Sequence, residues 1–511
     1  MPLGGHVRLA AQTAERARPY TGTMATAALI LANRAYLDHE APRGSPEPSA
    51  AANGGLLAAV RPVIAPWDGR QGSTWIGAGR GKFDRDWVNS EGFELIQSPR
   101  GPVCHRRLFF DDQTWEGHYG AVSNSFFWPL LHLVRERLPE RTNYYPAPAA
   151  PTSEQWAHFQ QVNSTFAESG AAQPEQPTAW VHDYQLALVP AMLRARSFPG
   201  RIGFSLHTPF PDLEVASPYL EGVARQTLGD FVAGILGADL IGFQSNGDLL
   251  RFNYAARTLC GAVAVAGELR FEGRNVVTGS YPVGVDVDEV LTTAADAAPP
   301  VGMATIIAST MPLVVGLERA DFTKGIPERL TAIAAAYRSG AKFAYIGVAA
   351  PTRIGVKAYA GLSAAIESAV AEATLAAQAA GCLFLHTQAV LAWPEVVALQ
   401  RRADVVFTSS LADGLNLVPI QAAIAQSLKP NSERAVVITG RDAGVADAFA
   451  GFELDGLVPV DPLDPEAMTA VLVNALHGLP GRVSDRFVAA IRNNDALAWA
   501  TRFLTDLERT C

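Results

Sequence analysis

The sequence predicts an α/β fold of two doubly wound domains that face each other across a cleft. At 511 residues the chain is too long for one hydrophobic core and suits two large domains. Short runs rich in β-branched residues alternate with amphipathic helical segments, the order typical of parallel sheets covered by helices. Charged residues follow several of these runs, at the strand ends where such sheets bind ligands.

The predicted strands are short apolar runs, the first of them at 27–32, and helical patterns follow several of them. The other strands are expected at 179–181, 202–206, 240–243, 313–317, 343–348, 383–385, 405–408 and 436–439. Helices are expected at 186–196, 249–259 and 327–338, with a long Ala-rich helix over 356–380 and a further helical stretch at 485–507.

The stretch around Pro299-Pro300 is predicted to link the two halves of the chain. Residues 1–23 contain arginines but no apolar core, so we treat them as a disordered extension or a misassigned start before Met24. The first domain is then expected over 24–290 and the second over 291–484. Residues 485–511 are expected to form a C-terminal helix that returns to the first domain.

Charge and cysteine usage exclude several classes of protein. The formal net charge of −9 argues against nucleic-acid binding, which needs a basic surface. Cys104, Cys260, Cys382 and Cys511 lack the spacing of a metal site or a dense disulfide framework, so a reduced cytoplasm is the simplest setting. No apolar run approaches the roughly 20 residues of a membrane span, so no membrane partner is expected. Self-association into a homo-oligomer is left open.

Two cations follow the apolar run 313–317. Arg319 comes directly after Glu318, and Lys324 stands just before the predicted helix at 327–338. Permanent positive charges at the carboxyl end of a strand, beside a helix amino terminus, make a site for a diphosphate leaving group. A pair of solvated surface charges is the alternative for this segment taken alone.

Three other segments place polar residues at the ends of predicted strands. His182 and Asp183 follow one strand, and His207 follows the next. Asp413-Gly414 permits a tight turn, and the amides that come after it begin a helix suited to phosphate oxygens. Structural histidines and an ordinary loop-to-helix turn are the alternatives here.

The residues of these motifs, and the order of the motifs along the chain, resemble those of the trehalose-6-phosphate synthase family over residues 27–507. Single motifs are weak evidence, whereas so many in one order are specific. The matching motifs are Asn33-Arg34, Asn53-Gly54-Gly55-Leu56, Tyr119, Ser123-Asn124, Trp128-Pro129, His182-Asp183-Tyr184, Leu206 to Pro211, Gly237 to Phe243, Tyr281 to Val285, Glu318-Arg319, Thr323-Lys324-Gly325, Ala350 to Arg353, Asp413-Gly414 and Asn416-Leu417-Val418.

The resemblance implies the architecture of two Rossmann-like domains called GT-B. It implies a retaining transfer of glucose from a UDP- or GDP-linked sugar to glucose 6-phosphate, giving α,α-trehalose 6-phosphate or a close analogue. The first domain would then bind the acceptor and the second the nucleotide sugar. No cofactor and no metal are implied.

Residue roles follow from the resemblance where the letters match. Arg319 and Lys324 would hold the donor diphosphate and neutralise its developing charge, and His207 and Asp413 would grip hydroxyls of the donor sugar. The catalytic set is expected to be Arg319, Lys324, His207 and Asp183. The donor set is Gly54, Gly55, His207, Arg319, Lys324, Asp413, Gly414, Asn416, Leu417, Val418 and Gln421. The acceptor set is Arg34, Tyr119, Trp128, Asp183 and Arg353, an arginine and aromatic cradle for a sugar phosphate.

The resemblance implies retention without a covalent intermediate. The leaving phosphate oxygen would take the acceptor proton on the same face of an oxocarbenium-like centre, so no glycosidase-type pair of carboxylates is assigned. Asp183 as a covalent nucleophile is the mechanistic rival.

Five positions depart from the family pattern in the expected cleft, among them Ala320 and Phe322, which replace a leucine and a tyrosine between the two cations. Ala78 stands where the family has a second tryptophan, so a hole, or room for a larger acceptor, is expected there. Ala412 stands where the family has an arginine, and Gln421 where a glutamate binds the ribose. Such changes also favour two alternatives. One is a relative with altered substrates, such as a pseudo-glycosyltransferase joining a cyclitol to an amino-cyclitol phosphate. The other is a catalytically silent regulator that binds sugar phosphates. The nucleobase of the donor and the true acceptor stay open.

Overall fold

The computed structural model describes residues 28–45, 55–66, 72–98, 101–133, 144–173, 178–353 and 359–510. Within these residues the chain forms two sheets, one of ten strands and one of six, with helices packed on them. The predicted α/β class with two mainly parallel sheets is confirmed.

The first sheet is built from strands of the amino-terminal part of the chain. Its strands are β1 (Leu29–Arg34), β2 (Thr74–Ala78), β3 (Phe93–Ser98), β4 (Gly101–Leu108), β5 (Thr178–His182), β6 (Arg201–Ser205), β7 (Leu240–Phe243), β8 (Val263–Val265), β9 (Glu268–Phe271) and β10 (Arg274–Ser280). Their order is β3-β4-β2-β1-β5-β6-β7-β10-β9-β8. The strands from β4 to β10 in this order are parallel, and β3, β9 and β8 join antiparallel at the margins.

Helices and turns connect these strands. They are α1 (Gly55–Val60), α2 (Asp84–Trp87), α3 (Asp112–Trp115), α4 (Trp128–Leu131), α5 (Ser153–Ala171), α6 (Val189–Ala195), α7 (Leu213–Ala216), α8 (Val223–Ile235) and α9 (Asn246–Cys260). Between α3 and α4 the chain runs as a π-helix over Glu116–Phe127. A π-helix of this length is rare, and such segments are frequent at functional sites.

The second sheet is parallel throughout the part that the structure describes. Its strands are β11 (Leu313–Arg319), β12 (Ala344–Ala350), β13 (Phe384–Thr387), β14 (Val405–Phe407), β15 (Val436–Gly440) and β16 (Leu457–Val460), in the order β13-β12-β11-β14-β15-β16. The accompanying helices are α10 (Val287–Asp296), α11 (Ala304–Ile307), α12 (Ile326–Arg338), α13 (Ala360–Ala379), α14 (Trp393–Arg402), α15 (Leu417–Gln426), α16 (Gly444–Ala448) and α17 (Pro465–Leu476).

The last two helices pack on different parts of the molecule. Helix α18 (Asp485–Asn493) contacts α15, whereas α19 (Ala496–Glu508) returns to β6 and β7 of the first sheet. There the ring of Phe503 stacks on Trp180 with 4.9 Å between centroids, and Trp499 Nε1 donates to the Tyr281 carbonyl at 3.1 Å. The apolar side of α19 therefore covers the middle of the first sheet.

Several predicted boundaries differ from the observed ones. The stretch 485–507 is two helices rather than one, because the chain turns at Asn494 before Asp495 caps α19. The boundary predicted at 290/291 falls within α10, which packs on α14 and α15. The long Ala-rich helix is α13 in the described residues, and the start of the predicted segment lies outside them. The division into domains stays a prediction.

No single helix among the described residues is long and apolar enough to cross a membrane. The helical segments Val287–Asp296 and Val301–Ile307 reach that length and apolar composition only when taken together, and a 68° bend lies between them.

The carboxyl ends of the parallel strands carry the polar motifs. In the first sheet Ala32 of β1 pairs with His182 of β5, and His182 pairs with Ser205 of β6. The chain therefore brings the residues after β1, β5 and β6 to one edge. In the second sheet the residues after β11 and β14 meet in the same way, since these two strands are neighbours.

Candidate active site

Lys324 and Asp413 form the centre of the second sheet's side of the site. A short turn over Phe322–Lys324 follows β11, and Gly325 then adopts a φ of 58°, a left-handed conformation that suits glycine, before α12 begins. Lys324 Nζ forms an ion pair with Asp413 Oδ2, and the Ser410 hydroxyl donates to the same oxygen at 3.1 Å. The turn after β11 and the Asp413 turn after β14 therefore meet.

The start of α15 is closed by a local side-chain cap. Asn416 has a φ of 69°, and its Oδ1 accepts a hydrogen bond from the Val418 amide at 3.2 Å. Its Nδ2 donates to Ser410 Oγ at 3.1 Å, which ties the cap to the Asp413 turn. A phosphate at this helix start would have to share or displace the bond to Val418. Leu417 is half-buried beside it.

Arg319 lies at the exposed end of β11. Its side chain has no hydrogen-bonding or ion-pair partner among the described residues. Burial raises the pKa of Asp183, and the charge of Arg319 offsets a small part of that rise. Against the effect of burial, Arg353 and then Arg319 hold the pKa of Asp321 below its ordinary value. The preceding Glu318 points the other way and forms a buried ion pair with Arg329 of α12. The Glu318–Arg329 pair thus holds the carboxyl end of β11 in place, while the Arg319 side chain stays unpaired among the described residues.

Asp183 and His207 form the centre of the first sheet's side. Asp183 has a φ of 72°, unusual for a residue other than glycine, and its Oδ1 accepts a hydrogen bond from the His207 amide at 3.2 Å. Its own amide donates to the Ser205 carbonyl at 2.8 Å. Burial raises the pKa of Asp183 to about 6 although nearby cations lower it. The carboxylate is therefore held in a strained, fixed position.

His207 is a neutral imidazole in this environment. Burial lowers the pKa of His207 to about 3. Its Nε2 lies 3.1 Å from Nδ1 of His182, and its Nδ1 lies 3.5 Å from Nε2 of Gln244. A neutral ring donates through one nitrogen and accepts through the other, so a sugar hydroxyl would have to share or displace the contact to His182 or to Gln244.

Arg34 and Tyr119 form one part of the predicted acceptor cradle. The Arg34 guanidinium donates to the Tyr119 hydroxyl at 3.1 Å, and Trp75 Nε1 donates to the Arg34 carbonyl at 3.0 Å. Burial raises the pKa of Tyr119, but the charges of Arg34 and Arg353 outweigh it and hold that pKa below its ordinary value. Two arginines from different sheets therefore face one tyrosine.

Arg353 and Trp128 form the other part. The Arg353 guanidinium carbon lies 3.8 Å from the centroid of the Trp128 ring, a close cation–π contact. Arg353 Nε donates to Asn124 Oδ1 at 2.9 Å, and Nη1 donates to the Tyr359 hydroxyl at 2.8 Å. Arg34, Tyr119, Trp128 and Arg353 are thus brought to one region, as the sequence predicts.

Asp321, which lies between the two predicted cations, was not among the predicted site residues. It is fully buried and accepts hydrogen bonds from Trp128 Nε1 at 3.3 Å and from the Tyr359 hydroxyl at 2.9 Å. It also forms an ion pair with Arg353. The one available signal was a carboxylate placed between two cations, and its partners come from distant segments. Asn124, on the π-helix, belongs to one of the matching motifs, but the sequence predicted no role for it.

The remaining predicted residues are less central in the structure. Gly54 lies outside the described residues, and Gly55 begins α1. Gln421 lies half-buried on α15, and Ala412 is buried before Asp413. Across the residues described, no group of three or more His, Cys, Asp or Glu is arranged to hold a metal ion.

Ala78 corrects an expectation of the sequence analysis. Its position was expected to leave a hole, or room for a larger acceptor, in the cleft. The structure places it at the end of β2 in register with Arg34 and Leu108, with 1% of its surface exposed. Ala78 belongs to the same buried hydrophobic core as Leu108 and Val122. An alanine fits here because the neighbouring core closes around it.

Comparisons with known proteins agree with this geometry. The model of glycosyltransferase family 20 matches residues 31–509. A trehalose-6-phosphate synthase of Mycobacterium sp. (strain KMS) is 30% identical over 506 residues, which cover 94% of this chain and 95% of that protein. The UDP-forming α,α-trehalose-phosphate synthase 2 of Aspergillus fumigatus is 26% identical over 449 residues, covering 82% of this chain and 88% of that protein.

A solved structure shows the same fold. The UDP-forming α,α-trehalose-phosphate synthase of Burkholderia xenovorans, in complex with glucose-6-phosphate, superposes with a TM-score of 0.72 at 25% identity. The match covers 94% of this chain and 100% of that chain. With the family model spanning both sheets and the predicted motifs assembled at one cleft, the chain belongs to glycosyltransferase family 20, the trehalose-6-phosphate synthase family with the GT-B fold.

Proposed function

We propose that this glycosyltransferase transfers glucose from UDP-glucose to glucose 6-phosphate with retention, giving α,α-trehalose 6-phosphate. One observation carries the proposal. Lys324 pairs with Asp413, and the turn that carries Lys324 is joined through Asp321 to Arg353 of the arginine and aromatic cradle. A diphosphate site beside a phosphate cradle fits a nucleotide-sugar donor and a sugar-phosphate acceptor. UDP is chosen because relatives are named UDP-forming.

On the donor side, Arg319 and Lys324 stabilise the charge that develops as the diphosphate leaves. Full cations in a cleft that excludes water can supply several kcal/mol to such a transition state. Lys324 is held by Asp413 before substrate binds, so the donor phosphate shares or replaces this ion pair. Asp413 is then free to accept hydrogen bonds from sugar hydroxyls.

On the acceptor side, Arg34, Tyr119 and Arg353 bind the phosphate. Arg353 is held flat against Trp128, which fixes the direction of its planar donors. A hydrogen-bonded, pre-positioned guanidinium pays less ordering entropy when the phosphate binds. The phosphate thereby fixes the sugar so that one hydroxyl faces the donor carbon.

The chemistry uses the leaving group as the base. The departing phosphate oxygen accepts the proton of the acceptor hydroxyl on the same face, and the configuration is retained. His207 is neutral because burial lowers its pKa to about 3, so it serves the donor sugar as a hydrogen-bonding group. One oxygen of Asp183 is occupied by the His207 amide. This supports a role for Asp183 in holding hydroxyls and disfavours covalent attack.

A changed acceptor or donor is the second candidate function, favoured by the replacement of two charged family residues by Ala412 and Gln421. Gln421 can hydrogen-bond a ribose but brings no charge, which weakens rather than abolishes donor binding. Larger changes in the site would be needed for a pseudo-glycosyltransferase that joins two cyclitols, or for a catalytically silent protein that binds sugar phosphates. The cytoplasmic setting and the oligomeric state stay predictions.

Product analysis tests the proposal. The purified chain is incubated with UDP-glucose or GDP-glucose, with and without glucose 6-phosphate, and the products are identified by mass spectrometry and NMR. The proposal predicts α,α-linked trehalose 6-phosphate and UDP only when both substrates are present. Transfer to a different acceptor would favour the altered-substrate relative, and binding without turnover would favour the regulator.

A further inference from the structure

Asp321 binds two sets of partners through its two carboxylate oxygens. Oδ1 accepts the Thr323 amide at 3.1 Å and Trp128 Nε1 at 3.3 Å. Oδ2 accepts the Tyr359 hydroxyl at 2.9 Å and the Arg353 guanidinium. The first oxygen therefore serves the turn that carries Lys324, and the second serves the acceptor side.

The carboxylate of Asp321 stays ionised in the folded protein. Its burial alone would raise the pKa, but Arg353 and then Arg319 outweigh it, so the pKa of Asp321 stays well below its ordinary value. The residue is fully buried, and its charge is balanced mainly by Arg353. A buried ion pair of this kind becomes costly when one partner is removed.

Arg353 depends on its neighbours for its orientation. Its backbone has a φ of 47°, in the left-handed region, and its side chain is 7% exposed. Its Nε donates to Asn124, and its Nη1 donates to Tyr359 and Asp321. The ring of Trp128 covers one face of the guanidinium. The Tyr184 side chain also hydrogen-bonds Arg353. None of the bonds to Asn124, Tyr359 and Asp321 uses Nη2, the nitrogen that an acceptor phosphate would have to reach.

We infer that Asp321 is a positioning residue that fixes Arg353 for the acceptor phosphate, an inference that rests on the proposed function. A fixed guanidinium has lost its rotational freedom before the phosphate arrives, which strengthens binding. The opposing effect is that the carboxylate offsets the positive charge and weakens phosphate binding. Positioning outweighs it, because without Asp321 the buried Arg353 loses its main counter-charge and the bond that fixes Nη1.

The test compares the wild type with Asp321→Asn and Tyr359→Phe. Asn keeps a carbonyl oxygen for Thr323 and Trp128 but places an amide donor opposite Arg353. Dissociation constants for glucose 6-phosphate and for UDP are measured by calorimetry, and the Michaelis constants of both substrates by kinetics. Glu372→Gln is the matched control, since Glu372 pairs with Arg338 at 2.7 Å on the exposed surface.

For Asp321→Asn we expect the acceptor constants to rise about tenfold or more, while the UDP constant changes less than about threefold. Tyr359→Phe should raise the acceptor constants less, in the same direction, and Glu372→Gln should change neither. Acceptor binding that is unchanged or tighter in Asp321→Asn would overturn the inference. An equal loss of UDP binding would also overturn it, since Asp321 would then support the whole site.

If Asp321→Asn does not fold, Tyr359→Phe decides, and an unchanged acceptor constant in that variant overturns the inference. A wild type that does not use glucose 6-phosphate defeats the proposed function separately. Inorganic phosphate is then the probe, and the inference holds only if Asp321→Asn weakens phosphate binding about tenfold. A wild type that binds neither glucose 6-phosphate nor inorganic phosphate would contradict both the inference and the proposed function.

Discussion

The backbone of Gly414 packs directly against the carbonyl oxygen of His207. A Cβ atom at Gly414 would overlap this oxygen and come within 3.2 Å of the Thr208 Cα. The loop after β14 and the loop after β6 therefore touch at the site, although they extend from different sheets. Because Asp413 precedes Gly414, this contact brings the two residues proposed to hold the donor sugar close together.

Gly414→Ala should lower kcat/KM by a factor of about 10² or more, because the added methyl group pushes the two loops apart. The global stability should change little, since the loops can separate at the cleft. Steady-state kinetics and a thermal melt check this. Gly229→Ala is the matched control, because a Cβ there meets nothing within 4 Å and alanine favours a helix. Full activity in Gly414→Ala would show that the contact is not needed.

Arg353→Ala should raise the Michaelis constant of the acceptor much more than that of the donor. The phosphate loses a forked cationic partner, and a factor of about 10² corresponds to one strong charge-assisted interaction. Arg353→Lys should recover only part of the loss, since an ammonium cannot stack on Trp128 or donate in a fork. A larger change in the donor constant would reverse the assignment of the two sides of the cleft.

The pKa of Asp183 predicts a pH dependence of stability. The folded-state pKa is raised to about 6 from 3.8. The folded protein therefore binds a proton at a higher pH than the unfolded chain does. Stability relative to Asp183→Asn should increase as pH falls from about 7 to about 4, by up to about 3 kcal/mol. Urea unfolding of both proteins at several pH values measures this difference. A difference that is flat with pH, or that falls towards acid, would contradict it.

Ala78→Trp should destabilise the protein instead of improving its use of glucose 6-phosphate. The core around Ala78 is filled, and overpacking costs about 1–3 kcal/mol or more. A thermal melt should show a lower midpoint, while Ala264→Trp on the exposed strand β8 should not. An unchanged midpoint with better turnover would mean that the ring finds space in the cleft.

The sequence predicted the elements that depend on local pattern. Strand β7 was predicted at its observed bounds, and Lys324, Asp413, Asp183 and His207 were predicted at the ends of strands, because periodicity and position carry that information. Asp321 was missed because its partners Trp128 and Tyr359 are far away in sequence. The burial of Ala78 was missed because it depends on the packing of neighbouring strands, and no periodicity reports that.

The central claim is that Arg319 and Lys324 stabilise the departing diphosphate, and the turnover number of Arg319→Ala tests it most directly. Arg319 is exposed and makes no ion pair within the described ranges, so its loss should leave the fold intact. Lys324→Ala also leaves Asp413 unpaired and is less direct. We predict that kcat of Arg319→Ala falls by a factor of order 10² or more, whereas Arg338→Ala, at the far end of α12, keeps wild-type turnover. A kcat of Arg319→Ala close to that of the wild type would contradict the account.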